Sequence, residues 1–288
     1  MFIIIPDIHG DYLSLKKILE AINCYKKGSK FISNYKIIFL GDLIDTGKYN
    51  KKVIELIREL IEQNIAECIM GNHEYNAIQI RKKISDRFCR IRNENNLSQH
   101  QTFINEFGLD TSEAMEITNW FKKLPLFIEY DHLFCVHAYP GLRELDLIKK
   151  YTNNGVLKDF EDIYKNEVLK ENVEMILKGP EQELPNGNFF YDYKNQRRTK
   201  VRIKWWANDP KCIHDIIVSV RDKKFIDNTI LDDKYKTLLL KKSEKSVFFG
   251  HYKLHKIVNT NNFIGLDVPN RKNFSLVTKN KEIKHFII

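Results

Sequence analysis

The chain has 288 residues, 43% hydrophobic and 30% charged, which gives enough apolar material for a buried core and argues against disorder. Lys and Arg number 47 against 38 Asp and Glu, a formal charge of +9 that attracts anionic substrates without by itself demanding nucleic acid. No run of 18 apolar residues exists and residues 2 to 5 are too short for a signal-peptide core, so a soluble, cytoplasmic protein with no membrane partner is expected.

Phe2-Ile3-Ile4-Ile5 is a continuous β-branched run, the pattern of a strand buried on both faces, and Pro6 ends it. Asp11 can cap a helix whose apolar stripe is Leu13, Leu15, Ile18, Leu19 and Ile22. A second strand, Lys36 to Leu40, stops at Gly41. A second helix begins near Asn50 and carries Val53, Ile54, Leu56, Ile57, Leu60 and Ile61 on one face. A third apolar run, Ile65 to Met70, stops at Gly71. Strand–helix–strand–helix–strand is the grammar of a parallel sheet with crossover helices.

Residues 74 to 125 read as mostly helical. Leu126 to Tyr130 and Leu133 to Val136 read as a hairpin turning at Asp131-His132. Asp159 to Leu177 is helical in pattern, Gly179 to Gly187 is turn-rich, and Lys194 to Lys204 is a basic run. Further strands are expected at Ser246 to Phe249, Phe263 to Leu266 and Phe274 to Thr278. With no linker or repeat, one domain over 1–288 is expected, carrying an elaboration at about 144–245. The five cysteines are odd in number, lack a C-x-x-C pair and suit reduced thiols.

Five islands stand where apolar runs stop: Asp7-Ile8-His9-Gly10, Gly41-Asp42-Leu43-Ile44-Asp45, Gly71-Asn72-His73-Glu74, Val136-His137-Ala138 and Gly250-His251. In α/β sheets ligands gather outside the carboxyl ends of strands. Singly, each of these residues has a plainer reading. Asp7 or Asp42 can cap a turn, Asn72 can close an Asx-turn, and His137 can be a satisfied core histidine. Together they supply the carboxylate, imidazole and amide donors of a site for two metals about 3.5–4 Å apart, one carboxylate bridging. With no thiolate in the set, manganese, iron or zinc suits it better than a sulfur-loving metal.

The pattern D-x-H-G, G-D-x-x-D, G-N-H-E, V-H-A and G-H resembles the calcineurin-like metallophosphoesterases, and within them the serine/threonine phosphoprotein phosphatases of bacterial and phage type. The resemblance covers residues 2 to 75, 120 to 143 and 246 to 280. It implies an α/β fold, a metallophosphoesterase-type β-sandwich flanked by helices, with a βαβαβ N-terminal half. By the resemblance, Asp7, His9 and Asp42 hold one metal. Asp42, Asn72, His137 and His251 hold the other, and a hydroxide bridging the two divalent ions attacks phosphorus in line. His73 protonates the leaving oxygen, and Asp45 orients His73. The implied enzyme is a two-metal phosphoric monoester hydrolase acting on phosphoserine or phosphothreonine of proteins, or on a small phosphoester.

Departures from the family pattern matter. Protein phosphatases usually read G-D-x-x-D-R-G, and Thr46 stands where the phosphate-clamping arginine would be. Arg143, six residues beyond His137, is the expected substitute, with Arg197, Arg198 and Arg202 as other candidates. The nuclease branch carries G-H-x-H, whereas G-H-x-x-x-H here leaves His255 without a role. Glu74 reads as a first-turn helix residue, and Trp205 and Trp206 as core. No role is assigned to His100, His132 or His214. The alternatives are a diadenosine polyphosphate hydrolase, and a metal- or RNA-binding scaffold without turnover. Asp45 and Glu74 favour the phosphatase, since the dinucleotide enzymes commonly lack the former and read G-N-H-D. The basic run makes nucleic acid a partner to consider but not the favoured one.

Overall fold

The computed structural model describes residues 1–192, 195–268 and 273–288. Ten strands form two five-stranded sheets: β1 Phe2–Ile5, β2 Lys36–Phe39, β3 Ala66–Cys68, β4 Phe127–Glu129, β5 Leu133–Val136, β6 Ser246–Phe249, β7 Val258–Thr260, β8 Phe263–Gly265, β9 Asn273–Val277 and β10 Ile283–Ile287. The first sheet has the order β10-β9-β1-β2-β3, and the second β7-β8-β6-β5-β4. β1, β2 and β3 run parallel, as do β5, β6 and β8. Each sheet therefore has three parallel strands whose carboxyl ends form one edge.

Alternation along the strands makes the sandwich. Ile4, Ile38, Leu40 and Ile69 from the first sheet meet Ile128, Leu133, Cys135, Phe248, Ile264 and Leu266 from the second in one buried cluster. Their neighbours Ile3, Ile5, Ile37 and Phe39 point the other way, into the cluster packed by helices. Each fully buried isoleucine contributes about 2 kcal/mol relative to an exposed one.

The crossover helices α1 (Tyr12–Ala21) and α2 (Asn50–Glu62) stand where the periodicity places them. Asp11 caps α1 by accepting the amide of Ser14 at 3.0 Å. Leu15, Ile18 and Leu19 are buried, but Leu13 is 58% exposed and lies off the stripe. On α2, Val53, Ile54, Ile57 and Leu60 are buried. The predicted hairpin is β4–β5, antiparallel, with Glu129 opposite Phe134.

Residues 72–121 depart from a plain helical stretch. Helix α3 (Asn72–Gln79) is followed by a short hairpin, Lys83–Ile84 with Arg87–Phe88, and then by α4 (Glu94–Gln99), α5 (Gln101–Phe107) and α6 (Ser112–Phe121). Ser85 and Asp86 both take positive φ, 46° and 64°, the geometry of a two-residue hairpin turn. Further along the chain, strands Glu181–Glu183, Lys200–Ile203 and Ile217–Val218 form a small sheet over a separate apolar cluster that includes Val201, Ile203, Ile213 and Tyr235. All five cysteines are free thiols. Among the described residues no helix is long and apolar enough to cross a membrane.

Candidate active site

All five islands come to the shared strand edge. Asp7 follows β1, Asp42 follows β2, Asn72 opens α3 just after β3, His137 follows β5 and His251 follows β6. The loops interlock through the backbone. Ile8 and His9 donate to the Asp42 carbonyl at 3.0 and 2.8 Å, and Gly10 to that of Leu43 at 2.8 Å. Gly41 has φ +86°, and a Cβ on it would run into the backbone of Gly71, so only glycine lets the second and third islands close on each other.

Two of the imidazoles are aimed by a fixed proton. His9 Nδ1–H donates to the Ile44 carbonyl at 3.1 Å, and His137 Nδ1–H to that of Leu40 at 2.7 Å, because a carbonyl can only accept. Both Nε2 atoms then face inward. His9 Nε2 is 3.7 Å from Asp42 Oδ2 and 3.9 Å from Asp7 Oδ2. His137 Nε2 is 3.4 Å from Asp42 Oδ1 and 3.2 Å from Asn72 Oδ1, while His251 Nδ1 is 2.7 Å from that same amide oxygen. Asp7 is held in turn by the amide of His251 at 3.1 Å.

Two groups of donor atoms, His9–Asp42–His73 and Asp42–His137–His251, each lie within 4.8 Å of one another, and Asp42 belongs to both. The donor chemistry fits metals. With its Nδ1 proton committed to Leu40, His137 Nε2 faces the Asn72 oxygen and Asp42 as a cluster of lone pairs that calls for a cation. The electrostatics agree. Burial opposes charge on His137, yet Asp42 and Asp7 outweigh it and push its pKa up to about 10. A field that favours a positive charge at this spot favours a divalent cation in the proton's place. Burial likewise opposes ionisation of Asp42, but His137, His73 and His9 together hold it well below the usual carboxylate range. Burial first, then Asp267 beside it, push Asp7 up.

His73, itself in the first donor group, has Nδ1 2.6 Å from Asp45 Oδ2 and Nε2 3.8 Å from Asp42 Oδ2. Asp45 carries a second imidazole on its other oxygen, with His100 Nδ1 at 2.8 Å from Oδ1. Left-handed backbone concentrates here. His9, Asp42, Asp45, Thr46 and His251 have φ of 49°, 50°, 71°, 65° and 63°. For a β-branched threonine that conformation is strained, and strain of this kind gathers at functional loops.

Glu74 is structural, as the sequence suggested, and its role is larger than a first-turn charge. Fully buried, it accepts the amides of Gly71 and Asp42 at 2.9 Å on one oxygen and that of Leu43 at 2.8 Å on the other. It clamps two islands together. Trp205 and Trp206 are core residues, and Trp205 Nε1 donates to the Ala138 carbonyl at 2.9 Å, next to His137. His255 is exposed.

The arginines are placed unevenly. Arg143 is exposed on the first turn of the helix Leu142–Tyr151 and makes no ion pair among the described residues. Arg197 lies over the Phe189 ring at 4.3 Å, and Arg198 pairs with Asp192 at 2.8 Å. Arg202 pairs with Glu181 at 3.4 Å and is near enough to His251 to help hold its pKa down, after burial. In the basic run, Arg198, Lys200 and Arg202 are thus paired with carboxylates; Lys194 lies outside the described residues.

Sequence reasoning passed over three features. Asp267 is buried beside Asp7 and follows β8, so the rule of a carboxylate where an apolar strand stops would have found it. His100 lies in a polar stretch with no motif around it, and nothing local marked it. Arg90 is half-buried, with both terminal nitrogens on neutral acceptors, Asn76 Oδ1 at 2.9 Å and Gln99 Oε1 at 3.0 Å. Asn76 is one helical turn from Asn72 and His73, and the Arg90 guanidinium is near enough to Asp45 and Glu174 to feel their charge, though it forms no ion pair among the described residues.

Comparisons agree with this arrangement. The model of the calcineurin-like phosphoesterase family matches residues 1–255. A bis(5'-nucleosyl)-tetraphosphatase PrpE [asymmetrical] of Halalkalibacterium halodurans is 29% identical over 154 residues, 51% of this chain and 59% of that protein. A symmetrical bis(5'-nucleosyl)-tetraphosphatase of Wigglesworthia glossinidia brevipalpis is 32% identical over 123 residues, 43% of this chain and 38% of its own length. The chain thus spans less than two thirds of the length of these relatives. In fold, it is similar to a cold-active protein-tyrosine phosphatase of a psychrophilic Shewanella, with TM-score 0.53, 12% identity, and 99% and 79% of the two chains covered. With two parallel triplets meeting at one edge and a family match over most of its length, the chain belongs to the calcineurin-like phosphoesterase family.

Proposed function

We propose that this protein is a two-metal hydrolase of phosphoric esters and anhydrides, and that dinucleoside polyphosphates are its leading substrate class. The observation that carries the hydrolase reading, whichever the substrate, is the pair of donor groups that share Asp42, with Asp45 2.6 Å from His73. In this reading Asp7, His9 and Asp42 hold one metal. Asp42, Asn72, His137 and His251 hold the other, and manganese is the metal proposed over iron or zinc. Metals bound there would supply Lewis acidity toward water and toward the phosphoryl oxygens.

The chain's own residues do the rest. Asp45 keeps the proton of His73 on Nδ1 and supports positive charge on the ring. His73 Nε2 then stands ready to give a proton to the departing oxygen. Burial opposes charge on His73, but Asp42 and Asp45 raise its pKa to about 9, so the acid form is favoured at neutral pH. The phosphate clamp absent at Thr46 is assigned to Arg90, whose guanidinium feels Asp45 but hydrogen-bonds only neutral acceptors, with exposed Arg143 as the second candidate.

Substrate class rests on the curated relatives, which are tetraphosphatases, whereas the likeness to a protein phosphatase is one of fold. Glu74 no longer argues for a protein phosphatase, since its clamp on the backbone explains it whatever the substrate. A second reading, phosphoserine or phosphothreonine of proteins, is favoured by the acid pair itself. A serine alkoxide needs a proton far more than a departing nucleotide does. Manganese-loaded protein assayed side by side on diadenosine tetraphosphate and a phosphoserine peptide decides between them. Higher kcat/KM on the dinucleotide supports the proposal, and preference for the peptide overturns its substrate class. Arg90→Ala should raise KM by about tenfold, and an unchanged KM would return the clamp to Arg143.

A further inference from the structure

We propose that His100 is a positioning residue for the reaction: with Arg81 it holds the second oxygen of Asp45, so that the first oxygen fixes the ring of His73 toward the leaving group. The inference rests on the reading of Asp45 and His73 as the acid pair.

The hydrogen bonds run in one direction only. Arg81 is half-buried among α3, α4 and α5, and its guanidinium donates to the Ala77 carbonyl at 2.9 Å and the Gly108 carbonyl at 3.2 Å. The same Nη1 lies 3.0 Å from His100 Nε2. A guanidinium has no lone pair to offer, so Nε2 must be the acceptor and carries no proton. The proton of the neutral ring is therefore on Nδ1, which donates to Asp45 Oδ1 at 2.8 Å. The ring is 5% exposed and stacked on Phe103, centroids 4.6 Å apart and planes 16° apart. The Arg81 guanidinium lies over the same Phe103 ring at 4.9 Å. Nothing in this wall lets His100 turn.

The backbone of Asp45 is tied to the same region by a separate route. Its amide donates to Asn50 Oδ1 at 2.7 Å, and Asn50 Nδ2 donates to Glu106 Oε1 of α5 at 2.6 Å. Residues 81 to 108 therefore grip both the side chain and the main chain of an aspartate whose own φ is +71°. Without the His100 donor, Asp45 can rotate about its carboxylate bond and take water, and His73 loses a single orientation. The metal donors do not touch His100, so metal affinity should be unchanged.

Two variants separate positioning from bulk. His100→Phe keeps an aromatic ring on Phe103 but has no donor. His100→Asn places an amide N–H near the position of Nδ1–H. Manganese-loaded proteins are compared on p-nitrophenyl phosphate and phenyl phosphate, whose leaving groups differ in their need for a proton. His100→Phe should lose about tenfold in kcat on phenyl phosphate and under about twofold on p-nitrophenyl phosphate, with KM unchanged. His100→Asn should recover to within about threefold of wild type on both. An independent readout is the side-chain nitrogen NMR of histidine-labelled protein. In the wild type, His100 should be neutral with its proton on Nδ1, and the low-field His73 Nδ1–H signal should weaken in His100→Phe. If His100→Phe matches wild type on phenyl phosphate, or loses both substrates equally, the positioning role is wrong. His73→Asn run in parallel keeps the two levels apart. If it is inactive on phenyl phosphate while His100→Phe is not, only this inference fails. If it is fully active, the acid pair itself fails and this inference with it.

Discussion

At the scale of single residues the site divides into groups that hold charge and groups that aim them. Asp42 is the residue on which most depends, because both donor groups include it. Asp42→Asn should bind fewer than two metals by elemental analysis and lose at least about 10³-fold in turnover. His73→Asn should keep its metal content and lose about 10²–10³-fold on poor leaving groups; metal loss in that variant would make His73 a ligand instead. His100 gives a test by pH. Burial holds it below its ordinary value of 6.5, against the pull of Asp45 and with the help of Arg81. Its neutral form is the one that fits the fold, so its contribution is fully present above pH 6.5. Below that, the unfolded chain takes up a proton that the folded chain resists, and stability falls. The acid limb of Tm against pH should therefore be shallower in His100→Asn. That Asp7, His9, Asp42, Asn72, His137 and His251, the proposed metal donors, come to one strand edge was legible in the sequence, because their islands stand where apolar runs stop. His100 was not, because its meaning comes from Asp45, 55 residues away in the chain.

At the scale of elements, strand ends and the loops after them do the positioning. Glu74 links the loop after β2 to the start of α3 through three amides. Glu74→Gln turns an acceptor into a donor against those amides and should cost about 3 kcal/mol, read from denaturant unfolding. Gly41→Ala adds a Cβ against the Gly71 backbone at a positive φ, so it should unfold at a lower temperature and lose activity, since the islands it separates carry Asp42 and Asn72. The strand–helix alternation of residues 2 to 70 was readable because its strands are continuous apolar runs and its helices have one apolar face. Residues 80 to 108 were not. The hairpin Lys83–Ile84 with Arg87–Phe88 has only two residues per strand, and α4 buries no side chain, so neither leaves a periodic trace. Strands β7 and β10 were missed for a related reason: both are half-exposed, with mixed polar and apolar residues.

At the scale of the whole molecule, two sheets with matching parallel triplets share one edge, and the donors come from both. Metal binding should therefore brace the sandwich as a unit. At a free manganese concentration about 100 times its Kd, unfolding should become harder by about 2.7 kcal/mol in the wild type, with no such gain in Asp42→Asn. The charge of +9 is distributed rather than focused, since Arg198, Lys200 and Arg202 pair with Asp192, Glu183 and Glu181, and this favours a small anionic substrate over a long nucleic-acid track. The most direct measurement is turnover of diadenosine tetraphosphate by the metal-reconstituted protein, with the nucleotide products resolved and Asp42→Asn beside it. Metal-dependent release of nucleotides by the wild type, lost in the variant, is the expected result. A wild-type protein that binds two metals yet hydrolyses neither this substrate nor any phosphomonoester would contradict the account.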